Sequence, residues 1–478
     1  MSTLKSEQHG DDAPIKAKFL QGDLMRHVAV MSLSASVGLV SIFLVDFADL
    51  LFIAKLGNAS LTSAVGFAAT VLYITFAVTL GLTIACSALS ARLIGQGKLE
   101  DARHLATSAI SFGIGLSIVI ATVFWLCAPY LLSLLGAAGD THGYAVRYFR
   151  IVVTAMPVAT VGLMTSGLLR AHGDARRAMM VTLVAGAVNA VLDPIFIFYF
   201  GWGLEGAAIA SVCARFATLA TALYPVIKHY GGFARFSLPR FKSDISPILG
   251  LTIPAILTNV ATPFGNSIVT RALAPFGDEA VAGMTVVARL TLLAFCVIFA
   301  LSGAVGPIIG QNFGAAQYDR VKETLKRALV FAAGFVVLAW AILLLIQGFV
   351  SAQFNLTADG RDIVFWFSLV IAPMFIFNGS LFIANAAFNN LKRPIWSSML
   401  NWGKNTIGVA PFVVVGAHLG NAPGVLIGQA IGGIFFGIIG IWLAFRLVSS
   451  YEDGCVDPNV PWRPKLMRPS IETSSIKR

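Results

Sequence analysis

A chain of 478 residues that is 57% hydrophobic and 12% charged, with a mean hydropathy of +0.80, is too apolar for a water-soluble globule, in which about a quarter of residues carry charge. The net charge of +11 does not mark a nucleic-acid binder, because Lys and Arg are dispersed among the breaks between apolar runs and form no patch. Five scattered cysteines and seven single histidines offer neither a disulfide framework nor a structural metal site, and nothing resembles the cluster that a catalytic centre needs, so the chain is read as a non-enzyme without cofactor.

Residues 1–25 are polar and mixed in charge, with no leader-like pattern, and read as a cytoplasmic tail. Twelve stretches follow that are long enough to cross a hydrocarbon core about 30 Å thick: 26–54, 60–90, 105–133, 146–169, 178–200, 204–227, 246–273, 279–309, 328–350, 363–388, 395–418 and 424–447. The runs are continuous and do not alternate, so the spans are helices and not barrel strands. Of the Lys and Arg residues, 26 fall on the amino-terminal side and five on the other (Lys55, Arg147, Arg150, Arg271, Arg361), with Arg215, Arg289 and Lys404 inside spans. The positive-inside rule then puts both termini in the cytoplasm, in a multi-pass protein of the plasma (inner) membrane.

The first span closes on Val45–Gly57, where Asp46 and Asp49 follow some twenty largely apolar residues. An ionised side chain there costs roughly 2.5–3.5 kcal/mol on insertion scales, so such acids point to function. Positions three apart share a helix face, and Asp46 is expected to tune the protonation of Asp49. In the fifth span, Asn189 stands one turn before Asp193, which is followed by Pro194. Pro194 lacks a backbone donor and is expected to open the turn before it, freeing the Ala190 carbonyl as a further oxygen ligand. A buried Asp capping a kinked helix would look the same; the adopted reading is a proton or sodium site, since a hard cation wants oxygen ligands.

The break 229–245 is the longest basic loop and reads as the linker between lobes 26–228 and 246–448, with a cytoplasmic tail from 449 to 478. After it the pattern restarts. Gly57 finds its echo in Gly277, an offset of 220; the Arg92–Gly95 break resembles Gln311–Gly314 at 219; Met156-Pro157 matches Ala372-Pro373, and Asn189 falls on Asn405, at 216. Six spans per repeat is an even number, so the halves enter the membrane in the same sense, the parallel-repeat design of alternating-access transporters. The expected fold is an all-α polytopic membrane protein with twelve transmembrane helices in two six-helix parallel repeats around a central cavity. Mapping one half on the other separates function from fold: Asp49 falls on Val269 and Asp193 on Val409, whereas Asp46 falls on Asn266, so part of its role is structural. Arg215 and Arg289 are expected to pair with carbonyls or an acid, and Ser166, Lys404 and Asn405 are candidates for the substrate cavity.

These features together resemble the multidrug and toxic compound extrusion (MATE) family along nearly the whole spanning region: Asp49–Gly57, the breaks after spans two and eight, Leu169-Arg170-Ala171-His172-Gly173-Asp174, and Asn189 with Asp193-Pro194. The resemblance, closest to the DinF-like branch, implies that protons or sodium bind Asp49, Asn189, Asp193 and, at the place of the family's hydroxyl, Ser211. Two departures stand out: the proline of the first span in many relatives is Ser34 here, and spans seven and ten lack the acids of sodium-dependent branches. The expected protein is a monomeric exporter of cationic or amphipathic small molecules, seated in the lipid bilayer, without nucleic acid, and coupled to proton influx. The alternatives are a sodium-coupled antiporter and a flippase for lipid-linked sugars.

Overall fold

The computed structural model describes residues 17–455 apart from Asn355 and Thr357; residues 1–16 and 456–478 of the two expected tails lie outside the described residues. Among the described residues every element is helical. The first lobe comprises α1 (Leu24–Ala54), α2 (Ala59–Gly95), α3 (Leu99–Leu134), α4 (Gly139–Thr154), α5 (Met156–Ala171), α6 (Ala175–Pro194) and α7 (Gly203–His229). The second comprises α8 (Leu238–Leu273), α9 (Asp278–Ala294), α10 (Cys296–Gly314), α11 (Tyr318–Gln353), α12 (Ala358–Trp366), α13 (Ala372–Asn390), α14 (Pro394–Gly403) and α15 (Ala410–Glu452). The polar breaks of the sequence start these helices: Asp23, Asn58 and Asp174 accept the backbone N–H of Arg26, Ser60 and Arg177 at 2.7, 2.9 and 3.1 Å, the side-chain cap that a helix start requires.

Among the described residues ten helices are long and apolar enough to span, the pair α4 and α5, bent by 48°, makes one more, and the run Pro394–Glu452 turns back on itself at Gly420 and Asn421, which gives twelve. The return is a hairpin of small residues. A Cβ on Gly416 would lie 2.0 Å from the Gly424 carbonyl oxygen and one on Gly432 only 1.4 Å from that of Gly408, so the two legs touch backbone to backbone. Other spans are interrupted where the sequence reading had them continuous. The eighth breaks at Phe295 between α9 and α10, and π-turns widen the chain at Ile195–Tyr199, Phe367–Ile371 and Lys404–Gly408, close to Pro194, Pro373 and Pro411, which lack a donor for the ladder. The turn expected to open before Pro194 does not: Pro194 keeps helical angles of −63° and −29°, and the widening follows it, where the Phe200 N–H donates to the Ile195 carbonyl at 2.9 Å.

Each lobe packs its own apolar core, and each sends the start of one helix into the other's. Leu24, Val28 and Met31 of α1 are buried in the second core, and Ile248 and Leu251 of α8 in the first. The seam is pseudo-symmetric. A Cβ on Gly95 would meet the Gln311 carbonyl oxygen at 2.0 Å and one on Gly314 the Arg92 carbonyl oxygen at 2.1 Å, so α2 and α10 cross at their ends in direct backbone contact. Around that crossing Arg92 donates to the Asn389 carbonyl (3.0 Å) and Gln311 to the Ala171 carbonyl (2.7 Å). The segment before α1 is woven in as well: the Phe19 N–H donates to Gln311 Oε1 (2.9 Å), Asn312 and Arg320 donate to the Phe19 carbonyl (3.2 and 3.0 Å), and Lys18 reaches the Gly173 carbonyl (3.0 Å). The lobes are thus joined on the face that carries Ala17 and Cys455. Towards the opposite face Leu44, Phe47 and Leu51 of α1 and Ile253, Leu257 and Phe264 of α8 are exposed, and the Arg289 guanidinium of α9 lies over the Phe47 ring at 5.9 Å. Val119, Leu126, Val330, Leu338 and Leu345 are exposed on α3 and α11, as suits helices that meet hydrocarbon.

Candidate functional site

The polar centre of the first lobe is assembled by α1, α4, α6 and α7. Small residues let α1 and α6 close on each other: a Cβ on Gly38 would strike Thr182, and one on Gly186 would meet Ser41 at 2.7 Å. One turn beyond Val45 on that packed face comes Asp49, and one turn beyond Asn189 comes Asp193. The side chains meet. Asp193 is 0% exposed and accepts from Asn189 Nδ2 at 2.8 Å, while its carboxyl group lies within hydrogen-bonding reach of Asp49. The Oδ1 atoms of Asp49 and Asp193 are buried without a donor from any described residue, and ionised carboxylates only accept, so their contact becomes a hydrogen bond once a proton sits in it.

The remaining wall comes from α4 and α7. Ser211 is within hydrogen-bonding reach of the Tyr148 hydroxyl, and Tyr148 is buried. One turn along each helix, the Arg215 guanidinium donates to the Val152 carbonyl at 2.6 Å, the carbonyl pairing expected from the sequence. A fixed cation therefore stands one helical turn from the hydroxyls that adjoin the acids.

The structure brings Asp49, Asn189 and Asp193 together and sets Ser211 beside them through Tyr148. Asp46 is more exposed, about 60° round α1 from Asp49 at 3.6 residues per turn, and near enough for the Asp49 charge to act on it. Of the cavity candidates, Ser166 is fully buried and accepts from Arg170 at 3.2 Å, and Asn405 is buried and donates to the Asn401 carbonyl at 2.9 Å. Lys404 is partly exposed and donates to Asn378 Oδ1. Tyr148 was missed, although its signal was in the repeat: at the offset of 216 it falls on Val364, a buried valine, the same substitution that singled out Asp49 and Asp193. Its immediate neighbours Arg147 and Phe149 form no recognisable motif.

Comparison with known proteins agrees with the doubled architecture. The MatE family model matches residues 35–195 and again 254–415, the second match beginning 219 and ending 220 residues after the first. The chain is 26% identical over 444 residues to a protein of Shewanella oneidensis named FAD transporter, covering 92% of this chain and 98% of that one. It is 24% identical over 325 residues to the multidrug export protein MepA of Staphylococcus aureus, covering 66% and 70%. Among solved structures, the Vibrio cholerae MATE transporter VcmN in its bent form superposes with a TM-score of 0.85 at 24% identity, over 91% of this chain and 99% of that one.

Proposed function

This chain belongs to the MATE family, and on that premise we propose that it is a secondary active exporter of amphipathic small molecules, cations among them, driven by inward movement of protons. The observation that carries the proposal is the contact of the Asp49 and Asp193 carboxyl groups inside one lobe, matched in the other by the buried valines Val269 and Val409. With one shared proton the pair keeps a single negative charge. Without it the pair carries two in a medium of low dielectric, where attraction for a cationic solute is stronger. Proton uptake from outside therefore competes with the solute, and export follows from that competition.

Sodium is the alternative coupling ion, and the oxygens of Asp49, Asn189, Asp193 and Ser211 are of the kind that a hard cation prefers. The nearness of the two carboxyl groups supports the proton, which joins such a pair as a hydrogen bond. The excess of Lys and Arg on the face of the termini supports a cytoplasmic location for that face. Vesicles with purified protein test the coupling: a pH gradient without sodium should drive uptake of a fluorescent cation, and a sodium gradient at equal pH should not. Sodium-only uptake would move the assignment to the alternative. Asp49→Asn and Asp193→Asn should each abolish the uptake with protein present at normal level; full transport in either would remove the pair from the mechanism.

A second substrate reading, an anionic flavin nucleotide, follows the relative named FAD transporter. What favours it is a second lobe whose spans carry Arg289 and Lys404 but no carboxylate between positions 280 and 318 or 363 and 451.

A further inference from the structure

Lys404 stands ten residues into its span, about 15 Å from the start at 1.5 Å per residue, halfway through a hydrocarbon core of about 30 Å. It opens the π-turn Lys404–Gly408, and across from it α15 presents a glycine: a Cβ on Gly433 would lie 3.7 Å from Lys404 Cε. The ammonium group has three donors. Among the described residues its hydrogen bond goes to Asn378 Oδ1 on α13, a neutral amide, and none of the ion pairs includes it.

The sequence shows why no ion pair forms. No Asp or Glu occurs in 245–277, 280–318, 324–358 or 363–451, so the acids of the second half stand only near the ends of its spans. An ammonium at this depth with no counter-charge is expensive, and such residues are kept where something pairs with them. Nor does the fold require a lysine there: at the repeat offset of 216 Lys404 falls on Val188. Lys404 and Asn378 are each partly exposed. In the first lobe the partly buried cation Arg215 stands one turn from the hydroxyls that adjoin the acids; in the second lobe the interiors of the spans supply no acid at all.

We propose that Lys404 and Asn378 form an anion-recognising site within the second lobe that takes the carboxylate or phosphate group of an amphipathic solute. The inference rests on the exporter reading, since it gives the second lobe a share in substrate binding. It makes the two lobes opposite in polarity, acids in one and an unmatched cation in the other.

Two xanthene dyes of similar shape test it: fluorescein, an anion with a carboxylate, and rhodamine 6G, a cation. Binding is read by fluorescence anisotropy on the full chain in discs of zwitterionic lipid. Lys404→Met should weaken fluorescein by about tenfold or more, the scale of a lost charge-assisted hydrogen bond, while Lys404→Arg stays within a few-fold of wild type and rhodamine 6G is held no less tightly. Asn378→Ala should weaken fluorescein in the same direction while keeping the lysine. Equal fluorescein binding by wild type and Lys404→Met overturns the proposal, as does a wild type that binds rhodamine 6G but not fluorescein. Suppression of fluorescein binding by added anionic lipid assigns the pocket to a headgroup and overturns the solute reading. The exporter reading is scored separately, by rhodamine 6G transport under a pH gradient, which static binding does not enter.

Discussion

At the scale of single residues, Tyr148 and Ser211 behave as one unit beside the acid pair. Their hydroxyl contact predicts that Tyr148→Phe and Ser211→Ala each lower transport, by about tenfold for the tyrosine, and that the double variant is little worse than the single ones, because residues sharing one bond are not additive. Additive losses in vesicle uptake would show that the two act apart. On the face of the termini, outside the spans, Asp174 has a different role. Burial alone would raise its carboxyl, but the Arg177 N–H, the Tyr230 hydroxyl at 2.8 Å and the Arg177 guanidinium at 2.7 Å outweigh burial and hold it below the usual carboxylate range. A depressed folded value gives stability that is complete above the unfolded value of about 4 and is lost as pH falls through the folded one. Asp174→Ala should therefore cost about 1 kcal/mol near neutral pH, and its melting temperature should converge with that of wild type on acidification. A constant gap across pH would remove the carboxylate charge as the cause.

At the scale of elements, the positions of the spans were legible because twenty apolar residues between polar breaks leave little choice of structure. The interruptions were not. Hydropathy is blind to a π-turn such as Lys404–Gly408 or to the break at Phe295, both of which depend on neighbouring helices re-satisfying the backbone. The hairpin of α15 offers a sharp contrast between two adjacent glycines. Gly432→Ala has no room against the Gly408 carbonyl and should destabilise by about 1–3 kcal/mol, whereas Gly433→Ala meets nothing closer than the flexible Lys404 stem and should be nearly neutral. Equal thermal shifts for the two in detergent would mean that the legs of the hairpin relax apart at little cost.

At the scale of the whole molecule, the repeat in the sequence foretold two similar lobes because equivalent breaks recur at offsets of 216 to 220. What it did not foretell is how they touch, since the matching breaks that end in Gly95 and Gly314 mark α2 and α10 as equivalent without saying that they cross. Ala91 and Gly310 stand at equivalent places on that crossing, with a Cβ on Gly310 2.9 Å from that of Ala91. A Cβ on Gly310 also lies 2.6 Å from Asn390 Oδ1, so Gly310→Ala has no room in the seam and should destabilise by about 1–3 kcal/mol in thermal melts; an unchanged melting temperature would show that the seam yields at little cost. The Phe19 segment adds something practical. Its amide hydrogen is bound to Gln311 Oε1 and its ring is buried in the second lobe's core, so exchange with solvent deuterium reports the lifting of this segment off α10. The isotope uptake of one amide thus times how long the entry to the first span stays docked on the second lobe.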